Sequence, residues 1–104
     1  MPEGAKAASS RPYSIFETHQ FSADLVGLGP ANRRRIEGKL RQYIYPLLRQ
    51  NPHFGPNLRR LKNWDPPTWR YRVGDWRFFY EIDEQERIVL IIAADHRKEA
   101  YRSS

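Results

Sequence analysis

WRYRVGDWRFFYEID, residues 69–83, is the stretch whose reading decides the fold. Strand-forming residues run up to Gly74-Asp75 and away from it again, and a two-residue connection of this kind sets a hairpin register. With that turn, Val73 faces Trp76, Arg72 faces Arg77, Tyr71 faces Phe78, Arg70 faces Phe79 and Trp69 faces Tyr80. Partners across a ladder share a face, as do residues two apart on one strand. Trp69, Tyr71, Val73, Trp76, Phe78 and Tyr80 therefore line one side, the core side. Arg70, Arg72 and Arg77 line the other, beside Phe79. Like charges directly opposite one another destabilise a ladder by something on the order of a few tenths of a kcal/mol. The Arg72–Arg77 pair thus points to a face that recruits an anion; neutralisation by Glu81 or another acid is the alternative.

Working outward, Arg87 to Ala94 forms the next strand, joined to the hairpin by the polar stretch Asp83-Glu84-Gln85-Glu86. A four-residue loop pairs Ile82 with Arg87, Phe79 with Leu90 and Arg77 with Ile92. Alternation then brings Ala94 and His96 onto the arginine face, and a slip of one residue reverses that. Upstream, Tyr13 to Glu17 is rich in strand formers, and Thr18 can cap a helix carrying Phe21, Leu25 and Leu28 at helical spacing. Gly29-Pro30 breaks it and opens a second helix, with the stripe Ile36, Leu40, Tyr43, Ile44, Leu47 and Leu48. Pro46 should kink or loosen its last turn. Residues 51–67 read as a loop pinned by Leu58 and Leu61, with Arg59, Arg60 and Lys62 outward. The order is strand, two-helix hairpin, then an antiparallel three-strand meander: an α+β fold with helices packed on one sheet face. Residues 1–12, small and polar, read as a flexible leader ahead of a single domain over 13–102.

The chain has 104 residues, with Lys plus Arg 18 against 12 acids, net charge +6 and pI near 10.0. A nucleic acid, an acidic protein or an anionic membrane is the partner class that such a balance favours. No acid interrupts the stretch from Glu37 to Asp65, which carries Lys39, Arg41, Arg49, Arg59, Arg60 and Lys62. The count of cysteines is 0, so disulfides and thiolate metal sites are excluded. The longest apolar run, Ile88 to Ala94, is too short to span a membrane, and no signal-peptide core is visible. These features favour the cytoplasm.

His19, His53 and His96 are far apart in sequence, so no metal site is expected, and no cofactor-binding motif is present. Chemistry that needs only protons and positive charge remains, and metal-free RNA cleavage fits it. A 2′-hydroxyl attacks the adjacent phosphorus while charge gathers on the phosphoryl oxygens. Fork-shaped arginines suit those oxygens. His96 and Tyr101 are the candidates for proton transfer beside Arg72 and Arg77. Arg70, Arg97, Arg59, Arg60 and Lys62 are candidate substrate-binding cations. Phe79, Trp64 or Trp69 could stack bases, but core or loop anchoring is the favoured reading for the tryptophans, and aromatics on the core side read as packing.

The hairpin YRVGDWRFFYEID, the aliphatic strand after it and HRKEAYR at 96–102 resemble the RelE/ParE superfamily of toxin–antitoxin toxins, over roughly Tyr13 to Arg102. The resemblance implies the same strand-helix-helix-meander fold. It implies substrate and transition-state contacts at Arg70, Arg72 and Arg77, and a proton-transfer or stacking role for Tyr101. Some RelE-like toxins carry lysine and arginine near the His96-Arg97 position. RelE-like members cleave mRNA on the ribosome, whereas ParE-like members inhibit DNA gyrase; a non-catalytic relative is a further alternative. The resemblance also implies a cognate antitoxin with an acidic amphipathic binding segment, through which the complex binds promoter DNA. Neither a cofactor nor a membrane is implied.

Overall fold

The computed structural model describes residues 11–96. Its elements are β1 (Ser14–Glu17), α1 (His19–Val26), α2 (Pro30–Lys39), a π-helical turn (Leu40–Ile44), α3 (Tyr45–Gln50), β2 (Leu58–Arg60), β3 (Trp69–Val73), β4 (Trp76–Asp83) and β5 (Ile88–His96). The five strands form one sheet in the order β1-β5-β4-β3-β2, with β1 parallel to β5 and the other pairs antiparallel. The fold class is as expected, an α+β sandwich with the helices on one sheet face. The expected leader lies almost wholly outside the described residues.

The β3–β4 register agrees at every position with the sequence reading, Arg72 opposite Arg77 included. Gly74 supplies the left-handed φ of 57° that the tight turn needs at its first position. Tyr71, Phe78 and Tyr80 are buried against Phe21, Leu25, Ile36, Leu40, Ile44 and Leu48 of the helices. Phe21 meets Phe78 edge-on at 6.2 Å between centroids. Tyr80, fully buried, donates its hydroxyl to the Pro52 carbonyl at 2.7 Å and so satisfies its one polar atom.

Thr18 caps α1 by accepting from the Phe21 amide at 3.3 Å, while its own hydroxyl donates to the Ile91 carbonyl at 2.9 Å. One side chain thus starts the helix and ties it to β5. Beyond the end of β1, α1 runs along the β5 edge, and Asp24 accepts from the Ala94 amide at 2.9 Å. That contact satisfies an edge donor that would otherwise invite another strand.

Three expectations need correction. First, 51–67 is not all loop: Leu58–Arg60 pairs with β3 as the edge strand β2. Three residues are too few to show a period, and the ladder, not local pattern, makes them a strand. Second, Tyr43 and Leu47 are exposed, and Tyr45 is buried with its hydroxyl on Glu17 Oε2 at 2.5 Å. The wide turn explains this. The Tyr45 amide bonds the Leu40 carbonyl five residues back, so Ile44 and Leu48 stay inward as expected while Tyr45 joins them in place of Tyr43 and Leu47. Pro46, which lacks an amide, follows this turn, and the helix continues past it. Third, the β4–β5 register differs. The connection is residues 84–87, with Arg87 at a φ of 55°, so Ile82 pairs with Val89, not Arg87, and Tyr80 with Ile91, two residues on from the expected partners but with the same facing. Beyond them Phe79 pairs with Ala93, Arg77 with Asp95 and Trp76 with His96. Ile92 is therefore the extra residue of a bulge, and the bulge reverses the facing of everything after it.

Candidate anion-binding face and proton-transfer groups

The sheet face away from the helices carries two parallel rows of side chains. In one, Arg59, Arg70, Phe79 and Ala93 come from four successive strands. In the next, Arg72 and Arg77 are followed by Asp95. The hairpin register that the aromatics impose on the core side is what gathers these arginines on the other.

Arg77 Nη2 lies 2.6 Å from Asp95 Oδ2, an ion pair with side chains 33% and 37% exposed. The neutralising acid is thus Asp95, not Glu81. Arg72 is exposed, and its Nε reaches only the Gly74 carbonyl at 3.4 Å. Arg70 and Arg72 line a shallow cavity of about 400 Å³ with Pro56, Asn57 and Gly74. Burial, and then the neighbouring cations Arg59, Arg72 and Arg77, lower the pKa of Arg70 from its ordinary value. Among the described residues, the Nε atoms of Arg70 and Arg77 are buried without a hydrogen-bond partner. A cationic group destabilised by its own neighbours is stabilised by an incoming anion.

The bulge carries His96 to the opposite, helix-side face. Its ring packs on Trp76 at 4.3 Å between centroids, and it lines a polar cavity with Asp24, Asn32 and Arg35. His96 is therefore not on the face of Arg70, Arg72 and Arg77, contrary to the register expected from sequence. Arg60 also faces the helix side, its guanidinium 5.6 Å from the Trp69 ring. Arg59 stays with Arg70, and Lys62 is exposed on the loop after β2. Arg97 and Tyr101 lie outside the described residues.

Two features were missed in the sequence. Asp95 is one; the reversal of the β5 register hid it. The other is a cluster at the far end of the sheet, where Glu84 accepts from the Tyr13 hydroxyl at 2.7 Å and meets His53 Nε2 at 2.5 Å. The Arg87 guanidinium lies 4.1 Å over the Tyr13 ring. No local spacing links positions so far apart in the chain. The described residues contain no group of His, Cys, Asp or Glu suited to a metal ion.

The family model for the ParE toxin of the type II toxin–antitoxin system parDE matches residues 16–101. Toxin RelG of Mycobacterium tuberculosis is 32% identical over 92 residues, covering 88% of this chain and 98% of that protein. Among solved structures, the toxin–antitoxin complex RelBE2 of Mycobacterium tuberculosis superimposes with a TM-score of 0.64 at 25% identity, covering 83% of this chain and 92% of the other. A mutant of the Escherichia coli toxin RelE in the free state gives 0.60 at 15% identity, covering 86% and 88%, a likeness of fold alone. Helices on one face of a five-stranded sheet, with an arginine cluster on the opposite face, define the class as a RelE-type toxin fold. The chain belongs to the RelE/ParE superfamily of type II toxin–antitoxin toxins.

Proposed function

We propose that the chain is a ribosome-dependent endoribonuclease that cuts mRNA in the cytoplasm without a metal ion. The observation that carries this reading is the cationic face of Arg59, Arg70, Arg72 and Arg77, with like charges in direct opposition. In the reaction, the 2′-oxygen bonds to phosphorus and the bond from phosphorus to the 5′-oxygen breaks. A 2′,3′-cyclic phosphate and a 5′-hydroxyl result. Arg72 and Arg77 neutralise the phosphoryl oxygens as charge builds, and Arg70 and Arg59 hold the flanking backbone, with Arg97 and Lys62 as outer contacts. The proton leaves the 2′-hydroxyl and one is delivered to the 5′-oxygen. Tyr101, beyond the end of β5, is the residue we assign to this transfer, because His96 faces the helices.

Its partner is a cognate antitoxin, as in the solved RelE–RelB complexes of Pyrococcus horikoshii and Methanococcus jannaschii. An acidic amphipathic segment suits a chain of net charge +6, and promoter DNA is bound through the antitoxin. The ParE description of the family match favours a second reading, inhibition of DNA gyrase without catalysis. Expression without antitoxin, followed by primer extension on translated mRNA, separates the two. Cleavage within reading frames, lost in Arg77→Ala and Tyr101→Phe, is the expected result. Intact mRNA with arrested replication would establish the gyrase reading instead.

A further inference from the structure

Trp64 is 53% exposed on the loop between β2 and β3, and its ring stacks on that of Phe79. Its ring lies 6.3 Å from Phe79, with the planes 11° apart, in an offset stack. The loop does not need this stack for closure. The Leu61 amide already bonds the Thr68 carbonyl at 2.9 Å, and the buried Thr68 hydroxyl bonds the Pro66 carbonyl at 3.0 Å. A tryptophan tethering a loop gains most by burying itself; this one leaves half its surface in water.

Its position on the sheet points to a ligand. Phe79 stands between Arg70 on one side and Ala93 on the other, and Arg77 precedes it by two residues on the same face. Among the described residues, the β5 side of the platform carries only the methyl group of Ala93. An aromatic surface already oriented, beside arginines spaced across three strands, matches the two needs of single-stranded nucleic acid: a π-face for a base and cations for the backbone. Because the indole is already fixed by Phe79, little rotamer freedom is lost when a base lands on it.

We propose that the Trp64–Phe79 stack is a base-stacking platform for single-stranded RNA, which holds one base while Arg59 and Arg70 hold the adjoining backbone. The proposal deepens the reading of the arginine face as an RNA site and rests on it. The test is fluorescence anisotropy of the full chain with a fluorescein-labelled, 2′-O-methylated single-stranded RNA, which cannot be cleaved, and with a duplex of the same sequence. Trp64→Ala should weaken single-strand binding about tenfold, the scale of one base–aromatic stack. Trp64→Phe should recover most of it, and duplex binding should not change. Wild-type affinity for the single strand in a folded Trp64→Ala protein would overturn the proposal, as would equal losses on single strand and duplex. Arg72→Ala should weaken both ligands. If the wild-type chain binds neither RNA, the reading of the arginine face fails first and the platform with it.

Discussion

Asp95 competes with any phosphate for Arg77, so Asp95→Asn should strengthen RNA binding. The pair is short, at 2.6 Å, but its side chains are 33% and 37% exposed, so solvent screens it. Measured couplings for exposed pairs run from about 0.2 to 1 kcal/mol, and partial burial favours the upper end. Releasing a guanidinium from about 1 kcal/mol of internal pairing corresponds to roughly a fivefold gain in affinity. If Arg77 then meets a further phosphate, the slope of log K against log salt should steepen by about 0.7 for a single strand. Anisotropy titrations with the uncleavable single strand at several salt concentrations measure both quantities. Thermal unfolding should show a loss of about 1 kcal/mol or less. Equal or weaker binding by a folded Asp95→Asn chain, with an unchanged salt slope, would refute the reasoning. Arg77 would then depend on Asp95 for its orientation, or lie away from the phosphates.

Tyr80→Phe removes the bond to the Pro52 carbonyl and leaves that acceptor unpaired beside the core. Its cost should be about 1–3 kcal/mol in urea denaturation, with RNA affinity unaltered; unchanged stability would show that the bond contributes nothing. At the far end of the sheet, burial pushes the Glu84 carboxyl up, but hydrogen bonds from Tyr13 and His53, with the charges of His53 and Arg87, outweigh it. The net shift is downward from the ordinary 4.5. A folded value below the unfolded one means stability that is present above the ordinary carboxylate range and lost as pH falls through the folded value. Glu84→Gln should therefore lose stability less steeply than wild type as pH drops below 4.5. Urea midpoints followed from about pH 6 to about pH 3 test this, and parallel curves would sink it.

Most of the fold was legible because strong patterns met strong turns. Gly74-Asp75 and the alternation on either side gave the hairpin pairing residue by residue, and with it the separation of arginines from aromatics. β2 was not legible, because Leu58, Arg59 and Arg60 are a strand only in the presence of Tyr71, Arg70 and Trp69. Pro46 pointed to a disturbance of the last turn, whereas the π-helical turn comes before it, at Leu40–Ile44, and nothing in the sequence told which residues would be turned inward. The bulge at Ile92 had the largest consequence for the site. Nothing in the run Ile88-Val-Leu-Ile-Ile-Ala-Ala94 distinguishes one aliphatic residue as extra, so alternation carried to the end of β5 exchanged the places of Asp95 and His96. The arginine cluster survived that error because it belongs to the hairpin alone.

The parallel pairing of β1 with β5 joins the first strand to the last, with Ser14 beside Ile88 and Glu17 beside Ile91. Closing so long a loop is entropically slow compared with zipping the hairpin. During synthesis, Ser14–Glu17 has no partner until the segment around Ile88 has left the ribosome. The Thr18 contacts to β5 wait for the same moment. The hairpin arginines can assemble earlier, but Asp95, which quenches one of them, arrives with the final strand. The nascent chain therefore carries its cations before their internal counter-charge, while it is still attached to the particle that made it.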